Sequence, residues 1–398
     1  MIKNRSSLFC SFYAGFLLTG FLLMPGVVHG YSEEVAVWVP WWSEVSGSES
    51  TLKNIRDIDI IYPFVFEVDR EGDLINKVNF DDNHWEDLFE EADDRGVKVV
   101  PTIAWFDGEA IHEVLSHRGS REDHVEDIVK MVKEHGFAGV NIDYEAKLSD
   151  TIDDFSDFLE ELEDELGNQD LTCTIEARTP PESRWKVVPR AIEYANDYKA
   201  MNRHCDWVEI MAYDQQRADL DLNKKRQGVP YMPVADREWV EKVLELALED
   251  IDEDKIMLGV ATYGRAWDIT VAPEWYRDYN RVATLNQPRI LELAKKYDSP
   301  IGRTAGGEAV ISYFPEDSVW KIFNQLPTPE GTPNGYEAVA KALLVATYAD
   351  IEVPVRFVTW SDAKAIEDKL DLVEKYHLKG TAVFKVDGEE DEDIWKLF

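Results

Sequence analysis

Only three of the 398 residues are cysteine and eight are histidine, and the two types do not cluster. A metal centre built from such ligands is therefore not expected, and nothing in the composition calls for a cofactor. With Cys10 set aside in the N-terminal segment, Cys173 and Cys205 remain. They could form a bridge, but sequence alone leaves both the bridged and the free state open. Basic residues are also in short supply: 42 Lys and Arg stand against 79 Asp and Glu, a net charge of −37. So acidic a surface repels nucleic acid and anionic membranes, and neither is expected as a partner. The runs at 90–95 and 389–393 read as solvated faces. Beyond residue 24 no stretch approaches ~18 uninterrupted apolar residues, so no membrane span is expected there.

What the chain does have begins at its start. Lys3 and Arg5 precede a mostly apolar run from Leu8 to Met24, and Val28 to Gly30 supply small residues ahead of Tyr31. This pattern predicts a signal peptide over residues 1–30. A membrane anchor is the competing reading, because the run is about 17 residues, at the lower end of what spans a bilayer. Cys10 lies too early in the run for lipid attachment. The expectation is a secreted monomer, extracellular or cell-wall associated, whose residues 31–398 form one catalytic domain.

The rest of the chain repeats a short apolar strand, a polar loop and an amphipathic helix. Strands are predicted at 35–39, 58–66, 97–105, 137–145, 171–177, 207–213, 256–263 and 380–386. Helices are predicted over 84–96, with Gly96 as its stop, and from Asp362 to a terminating Gly380. Eight strands alternating with helices imply an α/β fold, a (β/α)8 TIM barrel, with an open doubly wound sheet as the alternative. Turn-rich segments between Trp267 and Val355 break the rhythm. They predict a small α+β insertion after strand 7, bounded at 268–355.

Within the fourth strand, GVNIDYEA (Gly139 to Ala146) alternates strand-favouring residues with Asn141, Asp143 and Glu145. In a strand those three polar groups share one face, with Asp143 and Glu145 roughly 7 Å apart. At the carboxyl end of a barrel strand they would stand in the mouth where such barrels react. Two carboxylates that close in a sheltered mouth cannot both ionise freely, so one retains a proton near neutrality. The expectation is a proton on Glu145 beside a charged Asp143. A solvated rim or a helix cap would explain the same spacing, but other strand ends add company. Met211 to Asp214 (MAYD) closes the sixth strand, and Gly259 to Trp267 (GVATYGRAW) brings Tyr263 and an arginine after the seventh. Trp38, Trp41 and Trp42 follow the first strand, and Trp105 and Phe106 the third. Aromatics at several strand ends suit the apolar faces of sugar rings.

At these motifs the sequence resembles glycoside hydrolase family 18, the chitinase-like retaining hydrolases. Ala138 to Glu145 is similar to the family's DxxDxDxE pattern, and Met211 to Asp214 meets MxYD. The segment from Trp360 to Trp395 resembles a bacterial branch that includes spore-wall and peptidoglycan N-acetylglucosaminidases. The resemblance implies catalysis assisted by the substrate's own N-acetyl group. Glu145 would be the acid, Asp143 would hold the acetamide, and Tyr213 would steady it. Asn141, Met211, Asp214, Trp38, Trp105, Tyr263 and Phe384 are the expected substrate-binding residues. Ala138 and Asn141 replace two aspartates of the pattern, and Phe384 stands where the family usually has a tryptophan. The implied partner is an N-acetylglucosamine-containing polysaccharide, either chitin or peptidoglycan. Two other readings stay open: a non-catalytic sugar-binding protein on the same scaffold, and an endo-N-acetylglucosaminidase acting on N-glycans.

Overall fold

A computed structural model describes residues 33–398, so the expected signal peptide at 1–30, with Cys10, lies outside the described residues. Eight parallel strands close into a barrel: Glu34–Pro40, Ile60–Val68, Thr102–Trp105, Gly139–Tyr144, Asp170–Glu176, Trp207–Met211, Ile256–Ala261 and Gly380–Phe384. Each pairs with the next, and the first strand closes the ring against both its neighbours, with Glu34 opposite Gly380 and Ala36 opposite Ile60. All eight fall within or beside the predicted segments. The third is preceded by a short piece, Lys98–Val99, which also pairs with the second strand.

Alternation explains how these strands bury both faces. Residues such as Val140, Ile142 and Tyr144 point outward into the layer shared with the helices. Ala36, Trp38, Tyr62, Ala104 and Trp207 point inward and fill the barrel. Amphipathic helices cover the outside. In Asn83–Arg95, Trp85, Leu88 and Ala92 are buried, and Gly96 ends the helix in the left-handed region at φ 74°. Ala363–Tyr376 starts on Asp362, whose side chain accepts the Ala365 N–H. That helix stops at His377 rather than at Gly380, because Gly380 is already the first residue of the eighth strand.

The seventh and eighth barrel strands are joined through a second, antiparallel sheet. Its strands lie side by side in the order Tyr276–Asn286, Tyr263–Val271, Val353–Trp360, Ala309–Tyr313 and Gly302–Arg303. The expected bounds of 268–355 are too narrow at both ends. Strand pairing begins at Tyr263, two residues after the seventh barrel strand, and runs to Trp360, which pairs with Gly264. The sheet is covered on both faces. Trp267, Ile269 and Phe357 pack against Glu337–Ala349, while Ala266, Val358 and Trp360 pack against Gln287–Lys296. Cys173, in the fifth strand, is bonded to Cys205, just before the sixth, across a Cα separation of 6.1 Å.

Candidate active site

Asp143 is the next-to-last residue of the fourth strand and points inward; Glu145 follows the strand's end, and its N–H donates to the Trp105 carbonyl. Tyr144, between them, points outward. It is fully buried, and its hydroxyl lies 2.6 Å from Nε2 of His124. Burial lowers His124 to about 4, so the ring is neutral: Nδ1–H donates to the Gly72 carbonyl at 2.7 Å and Nε2 accepts from Tyr144. The outward half of the strand is thus locked while the inward half carries the carboxylates.

The chain turns sharply just past Glu145. Ala146 adopts φ 56°, and its N–H donates to Oε1 of Glu176 at 3.1 Å. A left-handed alanine costs on the order of 1 kcal/mol and needs such an anchor. The loop after the third strand runs so close that a Cβ on Gly108 would fall 2.1 Å from the Ala146 carbonyl oxygen, so only glycine fits there. Lys147 folds back beneath, its ammonium donating to the Tyr144 carbonyl and lying 4.4 Å from the centre of the Phe155 ring.

Asp143, Glu145 and Tyr213 line one cavity of about 1070 Å³ at the carboxyl ends of the strands. That volume slightly exceeds a pocket for a drug-sized ligand and suits several sugar rings. Of the other expected contacts, Trp38, Met211, Asp214, Tyr263 and Phe384 line it too. Phe384 lies parallel to Tyr213, with ring centres 5.8 Å apart, and edge-on to Trp38 at the same separation. Asp214 is clamped by the second sheet: it accepts from Tyr263 Oη at 2.9 Å and from Arg265 Nε at 2.8 Å.

Two expected contacts lie elsewhere. Trp105 points outward, buried against His124 and Tyr144, because the alternation that turns Ala104 into the barrel turns its neighbour away. Phe106, one residue on, reaches the cavity instead. Asn141 is fully buried below the cavity. Its Oδ1 accepts from Thr102 and Thr174, and its Nδ2 donates to Thr172 and Glu209. All four of its hydrogen-bonding positions are used there, so it ties together the third to sixth strands rather than a ligand.

Burial dominates the electrostatics. It raises Glu145 to about 7, helped by the charges of Glu176 and then Asp214, while Lys147 opposes the rise. It raises Asp143 well above the usual carboxylate range, with Glu145 the next cause. The expected division, a proton on Glu145 beside a charged Asp143, therefore changes. Burial favours the protonated form of both carboxyls, the deeper Asp143 most strongly, and Glu145 titrates near neutrality. Oδ1 of Asp143 is buried without a hydrogen-bond partner.

Sequence reasoning passed over Glu176 and Lys147. Glu176 continues the inward positions Thr172 and Thr174 of the fifth strand, so the alternation that exposed Asp143 would have found it. Lys147 lies in a turn and left no such signal. Among the described residues no group of three or more His, Cys, Asp or Glu is arranged to hold a metal ion.

A (β/α)8 barrel whose mouth holds an acid raised by burial to about 7, a deeper carboxyl with an unpaired oxygen and a ring of aromatics has the groups that glycoside hydrolysis requires. The Glycosyl hydrolases family 18 model matches residues 37–389, and the chain belongs to that family. Among curated sequences it is 20% identical over 298 residues to the uncharacterized glycosylase YvbX of Bacillus subtilis, covering 73% of this chain and 69% of that one. The chain spans between 42% and 69% of the length of the curated relatives it matches. Its fold is similar to the spore cortex-lytic enzyme SleL of Bacillus cereus, with a TM-score of 0.66, 18% identity and coverage of 92% of this chain and 73% of the other. It is equally similar to a class V chitinase of Pseudomonas fluorescens, with a TM-score of 0.67, 22% identity and coverage of 92% and 98%.

Proposed function

We propose that this chain cleaves β-linked N-acetylglucosamine polymers, chitin or the glycan of peptidoglycan, with retention at the anomeric carbon. The observation that carries this reading is the pairing of Glu145, an acid that holds its proton near neutrality, with the unpartnered Oδ1 of Asp143 in the same cavity. Glu145 gives its proton to the glycosidic oxygen as the C1–O bond breaks. The acetamide carbonyl oxygen of the same sugar forms a bond to C1 in its place, giving a positively charged ring. Its N–H fills the vacant acceptor on Asp143. A donor at that oxygen and positive charge beside it both favour ionised Asp143, so as substrate binds Asp143 gives up to solvent the proton that burial had favoured, and Glu145 keeps its own. Tyr213 donates its hydroxyl to the acetamide. Water then attacks C1, passes a proton to the Glu145 carboxylate and reopens the ring, which restores the starting configuration.

The protein is proposed to act outside the cell as a monomer. The Cys173–Cys205 bond agrees with an oxidising compartment. The test is the anomeric configuration of the first product from N-acetylglucosamine oligomers, run beside oligomers stripped of their acetyl groups. Retention with acetylated substrate and no cleavage without it is expected; equal rates on both would refute the mechanism.

A further inference from the structure

The cavity wall differs from one side of the barrel to the other. Over the first three strands it is aromatic, with Trp41, Trp42, Phe64 and Phe106 accompanied by the single charge of Glu67. Over the fifth and sixth strands it carries Arg178, Arg184 and Arg217 beside the carboxylates of Glu176 and Asp214, the latter bound to Arg265. A chain with 79 acidic and 42 basic residues places three guanidiniums on one wall of its cleft.

Their surroundings differ from those of the arginines that pair with carboxylates. Arg265 is bound to Asp214, and Arg121 to Glu161. Arg178, Arg184 and Arg217 form no ion pair among the described residues. Arg178 is oriented without being neutralised: its guanidinium lies 3.6 Å from the centre of the Tyr194 ring and 4.0 Å from that of Tyr198, and Nη2 donates to the Asn196 carbonyl at 2.9 Å. Arg217 lies over Tyr279 at 5.4 Å.

From this arrangement we infer that the wall formed by Arg178, Arg184 and Arg217 is a subsite for a carboxylate carried by the sugar chain, so that the enzyme favours acidic N-acetylglucosamine glycans over neutral ones. The inference rests on the proposed hydrolysis of such glycans and narrows its substrate. In peptidoglycan the carboxylate has two sources, the lactyl ether of the muramic residue and the peptide stem attached to it. A neutral polymer offers these guanidiniums only hydroxyl and amide oxygens, whereas a carboxylate brings a negative charge and accepts two parallel N–H bonds from one of them. The net charge of −37 works against an anion at long range. Salt screens that repulsion beyond about 8 Å, so inside the cleft the adjacent guanidiniums prevail.

The experiment measures kcat/KM for the intact protein on four glycans: chitin hexamer, peptidoglycan strands with stems, strands stripped of stems by an amidase, and stripped strands whose lactyl carboxylates are capped as amides. For carboxylate-bearing strands kcat/KM is expected to fall more steeply with added salt than for chitin hexamer. In the Arg184→Gln, Arg217→Gln double variant it is expected to drop about tenfold further than for chitin hexamer, as the loss of a charged hydrogen bond implies. Capped strands should behave as chitin hexamer does. A preference for stripped strands over capped ones assigns the lactyl carboxylate, and a preference confined to intact strands assigns the stem. Equal salt slopes and equal losses on all four glycans would overturn this inference and leave the proposed function standing. Absence of cleavage on all four overturns both.

Discussion

Raising the pH through 7 is the most direct perturbation of the proposed chemistry. Catalysis needs Glu145 with its proton, and burial with the charge of Glu176 beside it moves this acid to about 7. At pH 7 about half the molecules then hold the proton, against about 0.2% for an ordinary glutamate near 4.3, a gain of roughly 250-fold in the competent form. The sign follows from the role: activity is present below 7 and is lost above it. The profile of kcat/KM against pH for the free enzyme should bend near 7 and fall about tenfold per unit beyond it. Glu176→Gln removes the second cause of the shift and keeps an acceptor for the Ala146 N–H, so the bend should move to lower pH. An initial-rate assay on a chromogenic N-acetylglucosamine dimer from pH 4 to 10 reads both. A plateau reaching pH 9, a bend below 5.5, or an upward shift in the Glu176→Gln variant would refute the reasoning.

Glu145→Gln should abolish turnover while circular dichroism and the thermal midpoint stay near those of the parent, since the side chain lines a cavity rather than a core. Tyr213→Phe should lower kcat by at least tenfold with a smaller change in KM, because the ring stacked on Phe384 remains and only the hydroxyl is lost; equal changes in both would assign the tyrosine to ground-state binding. Replacing Cys205 by alanine opens a link between residues 32 apart, and chain entropy puts the loss at about 3–4 kcal/mol, visible as a lower urea midpoint. An unchanged midpoint would contradict it. Burial raises Glu209 to about 8, so the folded state holds a proton that the unfolded chain has released above its ordinary value. This contribution is fully present below about 4.3 and is lost as pH rises toward 8, and the stability gap between pH 5 and pH 8 should narrow in Glu209→Gln.

What the sequence determined by itself is largely a matter of periodicity. Alternation along 35–39, 137–145 or 380–386 fixes which residues can share a face, and eight such segments separated by amphipathic helices leave few architectures other than a closed parallel barrel. The same rule placed Asp143 inward with Tyr144 outward, and it put Met211, Tyr213, Asp214, Tyr263 and Phe384 at strand ends. It also contained the answer for Trp105, since Ala104 beside it faces the barrel, but an aromatic at a strand end drew the opposite reading.

Tertiary structure decided what depends on neighbours distant in sequence. Asn141 belongs to the barrel interior because threonines of the third and fifth strands and Glu209 of the sixth exhaust its hydrogen bonds. The proton between Asp143 and Glu145 depends on relative depth and on Glu176, 31 residues beyond Glu145, which no local spacing encodes. The second sheet runs from Tyr263 to Trp360 because pairing across nearly a hundred residues defines its edges, whereas turn residues mark only the loops between its strands. Local pattern sets the direction in which a side chain points; what it meets there is set by packing, and the acidity of a carboxyl in a cleft depends on that meeting.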